Sequence, residues 1–359
     1  MIVKNISFKN FRNLAEGYLE PCENVNIICG ENAQGKTNIT EALWLFTGAK
    51  SFRGAKDNEM VSFGFNEALL SMDFISGGIE RNAEISVKMR RSASLDGKKL
   101  RSAAALAGSF CAIVFSPSDL EVVKNGPSLR RRFMDIALGQ LYPQYIEILR
   151  DYTRAVTQRN TLLRESDGKP DTAMLDVFEA EIANKGAKIT QYRTDYCKKI
   201  TPHLTEIYSG LSGRNEELEA EYLPLCRPEE LAEQLLRLRK KDIYSGITSV
   251  GPHRDDLDFR INSVSARTFG SQGQQRSVAI ALKLAEAKTL KDITGEEPVA
   301  ILDDVLSELD KTRQNYILNN INDRQVFITC CDPENIKILE TGKIFTVSAG
   351  RIKPTASDQ

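Results

Sequence analysis

The sequence contains little histidine, no paired cysteine motif and no long hydrophobic run. Only two of its 359 residues are His, and its seven cysteines are scattered without a C-x-x-C pair. Neither a zinc site nor a disulfide framework is expected, and the cysteines are predicted to be mostly buried apolar residues. No stretch approaches the roughly 18 apolar residues of a membrane helix. Charges interrupt the first residues where a secretory signal needs an apolar core, so we expect a cytoplasmic protein without a membrane partner.

The sequence also lacks an excess of either sign of charge, because 48 Lys plus Arg and 49 Asp plus Glu leave a net charge of −1. This balance excludes a histone-like or ribosomal-type basic protein, so any polyanion must be bound by local basic patches. A hydrophobic fraction of 41% with 27% charged residues is typical of a globular chain. At roughly 150 residues per domain, the length suggests two domains or one domain with an insertion.

Strand and helix patterns divide the chain into three stretches. Residues 1–119 and 242–359 mix strand-like apolar runs with single helices, whereas 120–241 shows almost only helical periodicity. We therefore predict an α/β core that is split in sequence, with a helical second lobe inserted between its parts. Within these stretches, residues 116–119 are expected to start a helix, and Pro202 is expected to end or kink another.

A glycine-rich loop at residues 30–37 fits the phosphate-loop pattern G-x-x-x-x-G-K-[ST]. It follows the apolar run VNIIC and precedes a helical pattern, which is the context that this Walker A motif requires. In such loops backbone N–H groups and the positive helix end face phosphates, the lysine reaches the β/γ oxygens and the hydroxyl ligates Mg²⁺. The sequence therefore predicts an ATP and Mg²⁺ site, against the alternative of a chance glycine-rich turn. The predicted nucleotide-binding residues of the loop are Gly30, Glu31, Asn32, Ala33, Gln34, Gly35, Lys36 and Thr37.

Two carboxylates, Asp303 and Asp304, end the apolar run PVAILDD. Acids at the end of a buried strand stand where a metal–phosphate cluster would form. Asp303, with Thr37, is predicted to hold Mg²⁺ directly or through water, and Asp304 is the candidate base that orients the attacking water. Lys36 is the second predicted catalytic residue. An ordinary strand-end acid pair is the alternative.

A second helix start suited to anions lies at residues 271–274. Ser271 can cap the helix, Gln274 can close a capping box, and Gly273 lets a phosphate approach the backbone. One phosphate loop already serves one nucleotide, so a second anion-binding helix end is useful if it meets the γ-phosphate held by another copy of the chain. We therefore predict a homodimer closed by ATP, against the alternative of a plain capped helix.

The S-x-G-Q stretch at 271–274, Asp303 after it and the SELD stretch at 307–310 together resemble the signature motif, Walker B motif and D-loop of ABC-type ATPases, particularly the SMC-like branch. Further matches to DNA-repair members of that branch lie at residues 8–13, 51–54, 115–120, 130–133 and 251–257. The matches span nearly the whole chain. The resemblance implies an α/β fold, namely an ABC/SMC-like P-loop ATPase head with an inserted helical lobe.

The resemblance also implies roles for single residues. Ser271, Gly273 and Gln274 would engage the nucleotide of the opposing subunit. Arg12 and Asn13 would line the base or ribose. Other predictions concern Arg53 and His253: Arg53 would approach the nucleotide or DNA unless it is a solvated loop arginine, and His253 is expected to be a satisfied turn residue rather than a base.

The sequence departs from the ABC pattern after the strand at 326–329. ABC ATPases usually place a histidine there, and this chain has Thr329, Cys330 and Cys331. Asp304 also stands where a glutamate is usual. These departures predict a weak ATPase in which ATP acts more as a clamp than as fuel. No Q-loop glutamine can be assigned.

Basic residues are dense between positions 88 and 101. The predicted DNA contacts there are Lys88, Arg90, Arg91, Lys98, Lys99 and Arg101. Such density suits phosphate contacts without base readout, and a dimer would align two patches along one duplex. Smaller clusters lie at 130–132 and 237–241, and for each cluster a solvated face is the alternative. No helix-turn-helix motif or aromatic stacking platform is recognisable in the sequence, so sequence-specific DNA recognition is not expected.

By resemblance, the chain is expected to bind gapped, single-stranded or junction DNA. It would help recombination mediator proteins such as RecR to load the RecA recombinase, and would support replication restart and the SOS response. Two other functions remain open. One is a DNA-binding scaffold whose nucleotide is purely structural, and the other is a nucleotide-binding subunit of a transporter, which the helical insert disfavours.

Overall fold

A computed structural model describes residues 1–166, 168–213, 216–331 and 342–354. The strands are β1 Ile2–Lys9, β2 Gly17–Leu19, β3 Val25–Cys29, β4 Ala68–Ser76, β5 Ile79–Val87, β6 Ser92–Leu95, β7 Lys98–Lys99, β8 Ala112–Phe115, β9 Leu218–Leu223, β10 Asp256–Ile261, β11 Val264–Ser265, β12 Val299–Asp303, β13 Val326–Cys330, β14 Gly342–Ser348 and β15 Arg351–Pro354. The α-helices are α1 Lys36–Leu45, α2 Pro127–Leu141, α3 Pro143–Glu165, α4 Thr172–Leu211, α5 Leu231–Ser245, α6 Ala266–Phe269, α7 Gln272–Thr294 and α8 Lys311–Asn319. Short 3₁₀ helices lie at Asp57–Met60, Ala103–Leu106, Pro117–Glu121, Pro228–Glu230 and Leu306–Glu308.

The chain divides into two compact units, one formed by residues 1–121 with 279–359 and the other by 122–278. The pattern-based division placed 242–278 with the α/β core, whereas these residues cluster with the helical stretch. The reason is strand pairing: β10 pairs antiparallel with β9 along its whole length. β9 lies within the stretch whose pattern is almost entirely helical.

The first unit contains an antiparallel sheet of six strands in the order β2-β1-β4-β5-β6-β7. Its strands alternate apolar and polar residues, as Leu70, Met72 and Phe74 of β4 illustrate with buried side chains. The turn between β6 and β7 falls at Asp96 and Gly97, which have φ values of 50° and 72°. Positive φ at both positions is what a tight hairpin turn requires, and an Asp-Gly pair favours it.

The second sheet of the first unit has the order β15-β14-β3-β13-β12-β8, in which β15 is antiparallel to β14 and the other pairs are parallel. Residues of β3, β8 and β12 are buried throughout, which explains why these strands read as continuous apolar runs rather than alternating ones. Parallel strands end at the same edge of a sheet. The carboxyl ends of β3, β12 and β13 therefore lie side by side, and this edge positions the site described below.

The second unit contains helices α2 to α6 and the sheet β11-β10-β9. Pro202 is expected to end or kink a helix; it lies inside α4, which continues to Leu211, so an end at Pro202 is wrong and a kink there stays a prediction. Packing beyond the proline accounts for the difference, because Leu204 is fully buried and the Thr205 hydroxyl donates to the Leu218 carbonyl over 2.6 Å.

Two further expectations need correction. The segment from Ser116 forms only the 3₁₀ turn Pro117–Glu121, and the next α-helix begins at Pro127. The strand β9 was missed, although Leu218 and Tyr222 are buried between exposed Glu219 and Glu221. That alternation was the available signal, and the surrounding helical periodicity masked it.

The cysteines differ widely in their exposure to solvent. Three of the seven free thiols are buried, three are half-buried and Cys331 is exposed, so the prediction of mostly buried cysteines is wrong for these last four. Among the residues that the structure describes, no helix combines the length and apolarity needed to cross a bilayer.

Candidate nucleotide site

The glycine-rich loop connects β3 to α1, as the sequence predicts. Gly30 has a φ of +155°, and a Cβ added there would lie 2.4 Å from the Val347 carbonyl oxygen. Gly35 has a φ of +118°, and its added Cβ would lie 2.8 Å from Cδ2 of Leu14. Both positions therefore require glycine for two reasons, a left-handed backbone and close neighbours. The loop is thereby fixed in a narrow curve ahead of the N-terminus of α1.

A cavity of about 210 Å³ opens in front of this loop. Its lining residues are Asn32, Ala33, Gly35, Lys36, Thr37, Asn38, Arg53 and Asp304. Most of the predicted loop residues and the candidate base Asp304 thus share one concave surface. Gly30, Glu31 and Gln34 are outside the lining, and Gln34 instead accepts a 2.5 Å hydrogen bond from the Ala349 backbone N–H.

The Lys36 ammonium lies inside the curve of the loop. Its Nζ donates to the Gly30 carbonyl over 2.7 Å and to the Glu31 carbonyl over 3.2 Å. It also donates to Sγ of Cys331 over 3.4 Å, and the Cys331 thiol in turn donates to Oδ1 of Asn32 over 3.1 Å. A buried cation held by carbonyl dipoles at a helix N-terminus is an environment suited to phosphate oxygens.

The Asp303 carboxylate is held at the end of β12 by two threonine hydroxyls. Its Oδ1 accepts from Thr40 over 3.0 Å and from Thr329 over 3.1 Å. Burial raises the pKa of Asp303 above its ordinary range; the charge of Asp304 adds to the rise, and hydroxyl hydrogen bonds from Thr40, Thr329 and Thr37 oppose it. A divalent cation beside this carboxylate would offset the cost of its buried charge, so the oxygen donors of Asp303 and Thr37 fit Mg²⁺.

No group of three or more His, Cys, Asp or Glu side chains able to hold a metal ion occurs in the described residues. A cation held by Asp303 and Thr37 would therefore depend on further oxygen ligands from phosphate or water, which is the usual manner of Mg²⁺ binding. The backbone of Asp304 has a φ of +52°, and its N–H donates to the Thr329 hydroxyl over 2.8 Å.

Arg12 and Asn13, which are predicted to line the base or ribose, do not line this cavity, and that role stays a prediction. The Arg12 guanidinium is committed to the carboxylate of Glu41, through Nε and Nη2 at 2.8 Å each. Asn13 joins the loop to α1: its Nδ2 donates to the Ala33 carbonyl over 3.0 Å and its Oδ1 accepts from Asn38 over 2.6 Å. Arg53 does reach the cavity wall.

The second predicted anion site belongs to the second unit. The Ser271 Oγ accepts from the Gln274 backbone N–H over 3.2 Å, and Gln274 Oε1 accepts from the Ser271 N–H over 2.8 Å. These two bonds confirm the predicted capping box at the start of α7. Gln274 also donates through Nε2 to Glu216 over 2.7 Å, a contact that the sequence did not indicate. Gly273 lies in the first turn of the helix.

The predicted DNA contacts fall into two groups. The exposed ones are Lys88, Arg90, Lys98, Lys99 and Arg101, of which Lys88 also pairs with Glu67. Arg91 is different: its side chain is 7% exposed, pairs with Asp57 at 2.9 Å and donates to the Ala49 carbonyl. Arg91 is therefore a structural residue, and its prediction as a DNA contact is wrong.

The basic cluster at 130–132 is also mostly structural. Arg130 is buried and forms a two-pronged ion pair with Asp256, at 2.7 and 2.9 Å, while Arg131 donates to the Asp255 carbonyl. His253 is satisfied at both ring nitrogens, by the Tyr152 hydroxyl at 2.6 Å and the Thr248 carbonyl at 3.0 Å. Burial lowers the pKa of His253, and the ring is packed as a structural residue.

Two residues at the site were missed by sequence reasoning. Thr329 contacts both Asp303 and the Asp304 backbone, and its position at the end of an apolar strand was the available signal. Glu41 is a fully buried carboxylate in α1, and a charged residue within an otherwise apolar helical face was the signal there.

The parallel sheet, the glycine loop and the strand-end acids together define an ATPase head of the ABC/SMC class. A family model described as the RecF/RecN/SMC N terminal domain matches residues 2–352. The chain belongs to this family and, within it, to the RecF proteins.

Several relatives support the assignment. The DNA replication and repair protein RecF of Lachnospira eligens is 38% identical, over 98% of this chain and 99% of that protein. The solved structure of the recombination mediator protein RecF-ATPrS in the RecFOR pathway has a TM-score of 0.91 and 34% identity, covering 99% of this chain and 98% of that one. A Pyrococcus furiosus Smc head bound to the C-terminal domain of ScpA has a TM-score of 0.56 at 14% identity, covering 99% of this chain and 96% of that one, and shares the fold alone.

Proposed function

We propose that this chain is an ATP-dependent DNA-binding protein of recombinational repair and replication, which dimerises on ATP and hydrolyses it slowly. The main support is the geometry around Lys36, Thr37 and Asp303, in a chain whose full-length relatives include a solved RecF-ATP structure at a TM-score of 0.90. Action in the cytoplasm is part of the same proposal.

In the proposed nucleotide site, the loop N–H groups and the Lys36 ammonium bind the phosphates. Thr37 and Asp303 hold Mg²⁺, which would neutralise phosphate charge when bound. Asp304 lines the same cavity and orients water for attack. The Thr329 hydroxyl keeps the backbone of Asp304 in place.

Dimerisation is proposed from the start of α7. The capping box orders the backbone around Ser271 and Gly273, and the first turn of a helix carries unpaired N–H groups that favour an anion. That end would meet the triphosphate bound by a second copy, so each nucleotide would be enclosed by two chains. ATP would then control the dimer.

Slow hydrolysis is proposed because Asp304 and Cys330 are poorly suited to accept a proton from the attacking water. An aspartate at 304 has a shorter reach than a glutamate by one methylene. Where a histidine is usual, Cys330 has a thiol whose pKa burial raises to about 12, so it remains protonated at neutral pH. Hydrolysis would open the ATP-closed dimer rather than drive a mechanical movement.

The proposed DNA surface uses the exposed lysines and arginines of β5 to β7 and the adjoining segments. Phosphate contacts by these residues carry no base specificity. The preferred substrate would be gapped, single-stranded or junction DNA. There the protein would act with mediators such as RecR in loading the RecA recombinase, and would support the SOS response.

The proposal is tested by equilibrium binding of fluorescent duplex, single-stranded and junction DNA, with and without Mg²⁺ and ATP, alongside sedimentation of the same samples. We expect ATP to produce a dimer and to raise DNA affinity at least tenfold. Lys36→Ala should abolish both effects, whereas Lys4→Arg, at an exposed lysine of β1, should retain them. A DNA affinity that is changed neither by ATP nor by Lys36→Ala would instead support a DNA-binding scaffold with a purely structural nucleotide.

A further inference from the structure

Glu41 is a fully buried carboxylate one turn into α1, behind the phosphate loop. Its two oxygens are surrounded by three polar side chains. Arg12 donates to both of them at 2.8 Å, and the Ser51 hydroxyl donates to Oε1 over 2.5 Å. Nη1 of Arg53 lies 3.8 Å from Oε2. Partners of this kind compensate the desolvation of a buried carboxylate. Glu41 therefore fixes the positions of the side chains that bind it.

The contact with Ser51 connects the carboxylate to a loop. The Ser51 Oγ accepts from the backbone N–H of Arg53 over 3.1 Å and from that of Ala55 over 3.4 Å, and the Gly54 N–H donates to the Ser51 carbonyl. The hydroxyl therefore holds the turn at 51–55 from inside while it donates to Glu41. The backbone position of Arg53 is fixed through this relay.

The side chain of Arg53 is fixed from the same helix. Its Nη1 donates to Oδ1 of Asn38 over 2.9 Å, and its guanidinium lines the cavity of the phosphate loop. The side chain is 46% exposed, whereas that of Arg12 is 17% exposed. One carboxylate thus faces two guanidinium groups. Its paired bonds go to Arg12, so the charge of Arg53 remains directed at the cavity.

We propose that Glu41 is a positioning residue for nucleotide binding, which acts by holding Arg53 against the phosphate loop through Ser51. Glu41 itself does not line the cavity. The inference rests on the proposed function, because it assumes that the cavity receives ATP. The inference gives Arg53 a role in nucleotide binding, in contrast to the alternative of a solvated loop arginine.

A purely structural role for Glu41 would give a different outcome. Removing a partner from a buried ion pair destabilises a protein regardless of ligand. Glu41→Gln alone is therefore ambiguous, since it leaves Arg12 without its counter-ion. Ser51→Ala resolves the ambiguity, because it cuts the relay to Arg53 and leaves the Arg12–Glu41 pair intact.

The experiment measures Mg²⁺·ATP affinity of the full chain by equilibrium binding, with thermal unfolding recorded for each variant. Arg53→Ala should weaken binding about tenfold, as expected for loss of a charge-assisted hydrogen bond to phosphate. Ser51→Ala and Glu41→Gln should each weaken it severalfold. In the Arg53→Ala background neither change should weaken binding further, because both act through that arginine. Ser51→Ala should lower the melting temperature less than Glu41→Gln does, because it leaves the Arg12–Glu41 ion pair intact.

A matched control is Ser86→Ala, which removes a hydroxyl that donates to a glutamate over a similar 2.6 Å, far along the antiparallel sheet. It should bind ATP like the parent. Failure of the parent to bind ATP would refute the proposed function and this inference with it. Parent-like binding by Ser51→Ala and Glu41→Gln, an Arg53→Ala variant without effect, or additive losses in the double variants would overturn the inference alone. If Glu41→Gln fails to fold, the ATP affinity of Ser51→Ala still tests whether the relay positions Arg53.

Discussion

The hydroxyl of Thr329, at the end of β13, lies 3.1 Å from Oδ1 of Asp303, at the end of β12. The two strands are parallel neighbours, and the residues are direct partners in their register. This side-chain bond continues the strand pairing into the site. It holds the Asp303 carboxylate in a buried position, where its charge is costly until a cation is present.

Replacing Asp303 with asparagine should stabilise the ligand-free protein while removing the proposed Mg²⁺ ligand. Burial raises the pKa of this carboxyl, so ionisation opposes folding at neutral pH, whereas an amide keeps the acceptor for Thr329 without the charge. We expect a gain of about 0.5–2 kcal/mol, which is the usual range for a single stabilising substitution. Urea unfolding at pH 7 measures it.

The raised pKa of Asp303 also determines how the stabilisation by Asp303→Asn changes with pH. A raised pKa means that the folded state binds the Asp303 proton more tightly, so the penalty grows as pH rises through the raised pKa. The advantage of Asp303→Asn should therefore be full at neutral pH and vanish below the ordinary pKa of an aspartic acid. The matched change Asp195→Asn, at an exposed position, should shift stability by less than about 0.5 kcal/mol at either pH. An Asp303→Asn variant less stable than the parent at pH 7 would contradict the argument.

Gly30→Ala should destabilise the fold by about 3 kcal/mol. Its Cβ would lie 2.4 Å from a backbone carbonyl oxygen that cannot swing away, on top of an unfavourable φ. Gly78→Ala is the matched control, since Gly78 has a φ of +71° but no atom within 4 Å of an added Cβ. It should cost only about 1–2 kcal/mol. Chemical denaturation separates the two, and equal losses would show that contact with Val347 is unimportant.

Arg159→Ala should lower stability by about 3–5 kcal/mol, because it leaves buried acids without a counter-ion. Arg159 is fully buried, and it pairs with Glu179 at 2.8 Å and Asp242 at 2.9 Å. Arg150→Ala, at an exposed arginine of the same helix that pairs with its neighbour Asp151, is the control and should cost less than about 1 kcal/mol. A loss for Arg159→Ala within that smaller range would refute the view that this network anchors the second unit.

The phosphate loop and the strand-end acids could be predicted because their chemistry is local. Gly30, Gly35 and Lys36 occupy fixed spacings, and the flanking strand and helix are marked by their own periodicity. The capping box at Ser271 is local in the same sense. Such features are encoded within a few residues, so the sequence alone is sufficient.

Pairing across long sequence distances could not be predicted in the same way. Arg91 and Arg130 looked like surface charges because their partners, Asp57 and Asp256, are distant in sequence. The pattern also did not show that Arg12 would bind the carboxylate of Glu41. Composition reports the charges but not which of them are neutralised on folding.

Ser271→Arg should abolish the ATP-dependent dimer without affecting nucleotide binding. A bulky cation at the start of α7 would occupy the space in which the partner's nucleotide is proposed to sit. Thr172→Arg is a matched control, because it places the same side chain at the exposed start of α4. Analytical ultracentrifugation with ATP provides the measurement. Normal dimerisation by Ser271→Arg would mean that this helix end is not at the dimer interface.

Reversing two charges at Lys98 and Lys99 should weaken DNA binding and flatten its salt dependence. Both side chains are exposed in β7. Removing one lysine–phosphate ion pair should reduce the slope of log K against log salt by about 0.7–0.9, so the double lysine-to-glutamate variant should lower the slope by up to about 2. The matched control reverses Lys198 and Lys199, an exposed pair in α4 with the same change in net charge. Both variants share any general repulsion of DNA by the added acids, so only a difference between them locates the DNA surface. Identical slopes for the two variants would place the DNA elsewhere on the protein.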